Sequence, residues 1–254
     1  MFAASSWKSI SIRIGVLAAL LIAWDLAGEA KVVNAVFLPA PRQVVLRLFD
    51  LVQTGTLYEN LIVTVSEFVM GFGIAASAGM LVGIVIGRSR YATLVFEPFL
   101  AALFSIPIII FLPLFLLYFG LGPASKVAFG AVYGFFPVAL STIGGVAQVD
   151  RNYIRVGISM GATESQMFRR IYLPGALPVI GNGLRVGCIL CFLAILGAET
   201  IAGFSGLGTA IAKSSEAMNT TEMFAYIIFV VALAALLNAS LSAVQKRLSP
   251  AGGS

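Results

Sequence analysis

Histidine is absent from all 254 residues, and charge is scarce, with only 11% of the chain being Asp, Glu, Lys or Arg. Without imidazole there is no histidine triad, no HExxH zinc motif and no histidine proton relay. No nucleophile, base and orienting group converge in the sequence, and no two acids form a credible catalytic pair. Cysteine is limited to Cys188 and Cys191, which form a CxxC inside the apolar run "VGCILCFLAILG". That spacing serves redox chemistry in soluble proteins. Within an apolar helix it reads as two small packing residues. The phosphate-loop pattern G-x-x-x-x-G-K-[ST] is missing too. "GLGPASK" at 120–126 has the glycines and a lysine, but the lysine does not follow a glycine directly.

Apolar residues are plentiful: they make up 59% of the chain, and mean hydropathy is +1.00. Soluble domains carry about 45–50% apolar and about 25% charged residues. A soluble fold of this composition would lack the polar residues to cover its outside, so the chain is a membrane protein. The net charge of +5 does not point to nucleic acid, because the bases sit in short clusters between apolar runs. That is the arrangement of loops beside a membrane.

A spanning helix needs about 20 mainly apolar residues. Six segments qualify, at 11–28, 63–87, 97–119, 124–147, 176–200 and 222–244, giving an all-α polytopic fold with six transmembrane helices. The first resembles a secretory signal, with Lys8 and Arg13 before it and "AGEA" after it, but reads as an uncleaved span. With both termini in the cytoplasm, the inner regions hold Lys8, Arg13, Arg88, Arg90, Arg151, Arg155, Arg169, Arg170, Lys246 and Arg247. The outer regions hold Lys31, Arg42, Arg47, Lys126 and Lys213. This excess inside sets the orientation. Three regions follow: 1–60 with the first span and an outer amphipathic helix, 61–248 with the rest of the bundle, and a tail at 249–254.

The outer helix is read from "PRQVVLRLFDLVQTG", with Pro41 near its start and Gly55 at its stop. Val44, Val45, Leu48, Phe49 and Val52 form its apolar face. In the second span Gly71, Ala75, Gly79, Gly83 and Gly87 recur every four residues, and Gly130 and Gly134 repeat the device in the fourth. Small residues at that interval let helices approach closely. Pro107 and Pro113 are expected to bend the third span, and Glu97 with Pro98 to begin it near the inner surface.

Between the fourth and fifth spans the chain turns polar and basic, over 151–174. Arg151–Met160 reads as a short helix with Ile154 and Ile158 on one side, broken by Gly161, since glycine reaches left-handed angles without penalty. Thr163 and Gln166 match a capping box that opens a second helix. Met167, Phe168 and Ile171 share one face of it, Glu164, Arg169 and Arg170 point elsewhere, and Pro174 ends it. The expected product is a rigid bent hook. Physics alone leaves two uses open: an interfacial helix on anionic lipid, or a dock for a soluble partner.

This segment resembles the loop of binding-protein-dependent ABC importer permeases, written EAA-x3-G-x9-I-x-L-P, with Gly161, Ile171, Leu173 and Pro174 in register. It departs at the start, where Arg155, Val156 and Gly157 replace the acid and two alanines. The resemblance extends from Phe37 to Leu248 through "FLPAPRQV", "FEPFLAALFSIPIIIFLPLFLLYFGLGPASKV", "FFPVALSTIGGVAQVD" and "GAETIAGFSGLGTAI", and is similar to the nitrate, sulfonate and taurine branch. It implies a permease subunit of the bacterial inner membrane that pairs with a second permease subunit. It further implies a solute-binding protein outside and a separate ATPase that uses ATP and magnesium, with no cofactor in this chain. Ile158, Gly161, Ala162, Thr163, Gln166, Met167, Phe168, Arg169, Arg170, Ile171, Leu173 and Pro174 are then the coupling residues. Met167 and Phe168 would supply the apolar contact, and Arg169 and Arg170 the charge.

Charged residues at membrane depth are expensive and often functional. Glu67, Arg185 and Glu199 are the candidates for pathway or intramembrane charge. Arg185 snorkels, faces an anionic solute or pairs between helices, while Glu199 pairs or caps beside "GFSGLG". The rival reading is an ion-driven secondary transporter, but no repeat relates the two halves and the hook has no purpose there.

Overall fold

In the computed structural model, prolines and glycines set where several of the helices begin and break. The described residues are 12, 15–16, 19, 22–26 and 37–248, with side chains omitted at 244 and 246–248. Proline occupies the first or second position of four helices. These are α1 (Pro41–Gln53), α4 (Leu112–Phe119, with Pro113), α5 (Pro123–Ala147) and α8 (Leu173–Ala202, with Pro174). The remaining helices are α2 (Thr56–Gly87), α3 (Arg90–Phe104), α6 (Arg151–Ser159), α7 (Glu164–Met167), α9 (Leu207–Glu216) and α10 (Thr220–Leu248). No strand occurs among the described residues.

Four stretches are long and apolar enough to cross a membrane: α2, α5, α10 and the run Glu164–Glu216 that contains α8. The third expected span differs from a single bent rod. It is two helical pieces, Arg90–Phe104 and Ile108–Phe119, set at 74° to one another, and makes a fifth crossing if taken as one broken span. The break falls at Ser105–Pro107 because Pro107 withholds an N–H just as Ser105 caps α3. The expected start at Glu97 is also corrected. Ser89 caps α3 by accepting from the Ala92 N–H at 3.3 Å, and Pro98 lies inside the helix. Ile108 and Leu112 anchor the broken piece on buried Phe129. Half of the expected first span, 11–28, lies outside the described residues.

At the centre α5 is clasped between α2 and α8. Gly79, Gly83 and Gly87 meet Val138, Thr142 and Val146 of α5 in turn, and a Cβ on Gly83 would stand 2.4 Å from the Cβ of Thr142. On the other side of α5, Gly130 and Gly134 face Ile195 and Gly187 of α8, while Gly71 and Ala75 complete the α2 seam. Backbones approach this closely only where side chains are absent. Of the α1 apolar residues, Val44 and Leu51 are buried in the bundle while Val45 and Phe49 stay exposed. Arg47 bonds Glu222 at the start of α10 at 2.8 Å, which raises its pKa above the ordinary arginine value.

Candidate functional site

The hook is built by short-range bonds. α6 is capped by Asp150, whose carboxylate accepts from the Asn152 N–H at 2.8 Å. It ends in a Schellman turn: Gly161 has φ +70°, its N–H reaches the Ile158 carbonyl at 2.9 Å, and the Ala162 N–H reaches the Gly157 carbonyl at 3.0 Å. The capping box then forms in both directions. The Gln166 N–H donates to Thr163 Oγ1 at 3.3 Å and the Thr163 N–H to Gln166 Oε1 at 2.9 Å.

Pro174 does not end this arm. The chain passes from α7 through a π turn, Phe168–Tyr172, directly into α8. The Leu173 N–H reaches back to Phe168, five residues away. Widening to the π spacing relieves the clash of the Pro174 ring with the carbonyl four residues before it, so the helix continues where a stop was expected. The second arm of the hook is therefore the extension of a bundle helix.

The two arms close on Gly157. It is buried under Met167 and Ile171, and a Cβ there would stand 2.5 Å from the Met167 sulfur. Met167 is thus the pin between the arms, only 7% exposed, and Phe168 is half-buried. The exposed apolar row lies on the first arm instead, in Tyr153, Val156 and Met160, spaced i, i+3, i+7. With Ile171, Pro174 and Arg170 this row borders a groove of about 540 Å³. The row is visible in "YIRVGISM" as the spacing of Tyr153, Val156 and Met160, beside the apolar Ile154 and Ile158. Ile154 packs toward the bundle while Ile158 is exposed. Arg169 and Arg170 are exposed, Leu173 is half-buried, and Arg88 at the end of α2 forms an ion pair with Glu164 of the second arm.

At the far end of the bundle lies a second cluster, buried and polar. Lys126, placed in an outer loop by charge counting, is inside the bundle at 2% exposure, and its ammonium meets Glu67 at 2.9 Å. Glu199, fully buried near the end of α8, accepts from Thr64 Oγ1 and from the Gly208 N–H, each at 2.7 Å. Thr64 in turn accepts from the Leu207 N–H at 2.8 Å, and Asn60 from the Gly206 N–H at 3.0 Å. Glu199 therefore caps, taking the Gly208 N–H in the first turn of α9. Gly206 and Gly208 permit the approach, since a Cβ on either would stand 2.3 Å from the Glu199 carboxyl or the Leu196 carbonyl respectively. Arg185 is half-buried, and its Nε donates to Asn238 of α10 at 2.9 Å.

Tight small-residue seams, a broken span and a capped hook at one bundle end describe a polytopic membrane bundle. The family model described as "Binding-protein-dependent transport system inner membrane component" matches residues 78–251, and the chain belongs to that family. It is 32% identical over 248 residues to the taurine transport system permease protein TauC of Escherichia coli (strain K12), covering 96% of this chain and 90% of that protein. It is 31% identical over 233 residues to the putative aliphatic sulfonates transport permease protein SsuC of Bacillus subtilis (strain 168), covering 91% and 84%. The fold matches a chain from the MetNI methionine ABC transporter in an inward-facing conformation, with a TM-score of 0.61 and 21% identity over 76% of this chain and 94% of that one.

Proposed function

We propose that the chain is a permease subunit that pairs with a second permease subunit, most simply its own copy. Together they pass a small sulfonate or related oxyanion handed over outside by a solute-binding protein. The similarity to taurine and sulfonate permeases supports this substrate class. A separate ATPase, using ATP and magnesium, drives the cycle from the cytoplasm, where both termini and the hook lie. Substrate moves only because nucleotide favours one of two bundle states over the other.

The single observation that carries the reading is the hook. Its two capped arms are pinned at Gly157, an apolar row faces outward, and its second arm is continuous with α8. A displacement of the hook is passed straight into α8, which is packed on α5 at the centre of the bundle. A rigid relay with an apolar dock suits a soluble motor better than a lipid surface.

Met160→Asp tests it, placing a charge in the outward row where no packing is lost. The variant is expected to insert and assemble its bundle normally, while the ATPase subunit no longer co-purifies and loaded binding protein no longer stimulates ATP hydrolysis. Undiminished stimulation would sink the assignment of the dock.

A further inference from the structure

Where α2 ends at Gly87, the chain places Arg88 just after it and Arg90 at the start of α3. α5 runs beside α2 to the same level, and a Cβ on Gly87 would stand 2.8 Å from the Cβ of Val146. Arg151 opens α6 shortly after α5 stops at Ala147. The packing of α2 on α5 thus gathers arginines from two distant parts of the sequence around one pocket of about 340 Å³. Tyr172 and the apolar Leu94 also line it.

The charge in this pocket is unbalanced. Arg88 holds Glu164, but among the described residues neither Arg90 nor Arg151 has a carboxylate in ion-pair contact. Asp150, next to Arg151, spends its carboxylate on the Asn152 N–H. A guanidinium carries five N–H donors and no acceptor, so even Arg88 keeps donors beyond Glu164. Like charges around one cavity repel, and an anion with several oxygens relieves them together.

Beyond the pocket, α3 continues as apolar surface. Tyr91, Leu94, Pro98 and Ala101 recur three and four residues apart on one face, and all are exposed. At about 1.5 Å per residue the row runs about 15 Å along the helix. α2 is long and apolar enough to cross a membrane, so the pocket at its end lies where a span meets water, on the hook's side. Basic pockets between spanning helices at that level bind anionic headgroups. We propose that this pocket holds the phosphate of an anionic lipid, with one acyl chain laid along the α3 row. A zwitterionic lipid brings its own ammonium to a site already in positive excess, so a headgroup of net negative charge is selected. The lipid bridges the end of α2, the start of α3 and the first arm of the hook. Tyr153, Val156 and Met160 border a different groove, so this site leaves the apolar dock free and does not depend on the transport reading.

Native mass spectrometry of the full chain in detergent, titrated with lipid, tests it. The unmodified chain is expected to bind one phosphatidylglycerol about tenfold or more tighter than phosphatidylcholine. Arg90→Gln with Arg151→Gln should abolish that preference. Arg155→Gln with Arg169→Gln removes the same charge from exposed hook positions outside the pocket, and should keep it. Equal affinity for the two lipids in the unmodified chain, or equal losses in the two double variants, overturns the site. Inorganic phosphate is the second probe, since it carries the charge without the chain. It should displace phosphatidylglycerol only in large excess, and displacement at equal concentration would reveal a free-anion site and overturn the lipid assignment. Arg90 and Arg151 are exposed, so their substitution removes little packing. If the double variant still fails to fold, Arg90→Gln alone should narrow the preference, and a preference left unchanged there overturns the proposal.

Discussion

Capping bonds in the hook join residues two to five apart, as in Asp150 with Asn152, Thr163 with Gln166 and Ala162 with Gly157. At the far end, Thr64 bonds Glu199 across 135 positions, Lys126 bonds Glu67 across 59, and Gly206 bonds Asn60 across 146. The hook is largely exposed and held by bonds within its own segment, whereas the far end is buried and held by bonds between separate helices. A buried polar network is either fully satisfied or destabilising, while an exposed cap has water as its fallback. The two ends should therefore respond to substitution on different scales.

The largest effect is expected from Lys126→Met, which strands Glu67 without its ammonium in a site that excludes water. Removing one partner of a buried pair costs about 3–5 kcal/mol, read as a drop in Tm and earlier denaturant unfolding in nanodiscs. Adding Glu67→Gln to the same chain should recover much of the loss. A Lys126→Met chain as stable as its parent would place the two ends on the same footing and break the contrast.

The seam between the ends gives the next effect. Gly83→Ala should destabilise by about 1–3 kcal/mol through overpacking, because the added Cβ meets Thr142 and the Ala139 carbonyl, and a backbone atom cannot step aside. Gly73, on the exposed side of the same helix, has nothing within 4 Å of its would-be Cβ. Gly73→Ala should be neutral or stabilise by about 0.4–1 kcal/mol. Equal losses at both positions would mean that helix propensity, and not the α2–α5 approach, is being measured.

These differences follow what a sequence displays. The left-handed Gly161, the Thr163–Gln166 box and the four-residue run of small side chains are local patterns, and they mark features that the fold places where the spacing implied. Lys126 misled because hydropathy records a lysine as loop-like, whereas its partner Glu67 is brought to it only by the crossing of α2 and α5. Pro174 misled for the opposite reason: its local rule is to end a helix, and the π turn at Phe168–Tyr172 absorbs the clash. Nothing in the spacing of Asn60, Thr64 and Glu199 announces a shared network, since each is ordinary within its own helix. The inward turn of Met167 likewise depends on Gly157, a residue on the other arm.

The smallest expected effect joins the two regimes. Arg88 and Glu164 link the end of α2 to the hook's second arm, but their side chains are 40% and 87% exposed. Exposed pairs contribute about 0.2–1 kcal/mol, and salt screens them. A double-mutant cycle with Arg88→Ala and Glu164→Ala should give a coupling in that range at low ionic strength, falling toward zero in about 1 M salt, where the screening length shrinks to about 3 Å. A coupling that persists in high salt would show the pair to be desolvated in the assembled molecule. The hook would then be held to α2 by a long-range contact of the kind that holds the far end, and its stiffness would no longer be a property of its own caps.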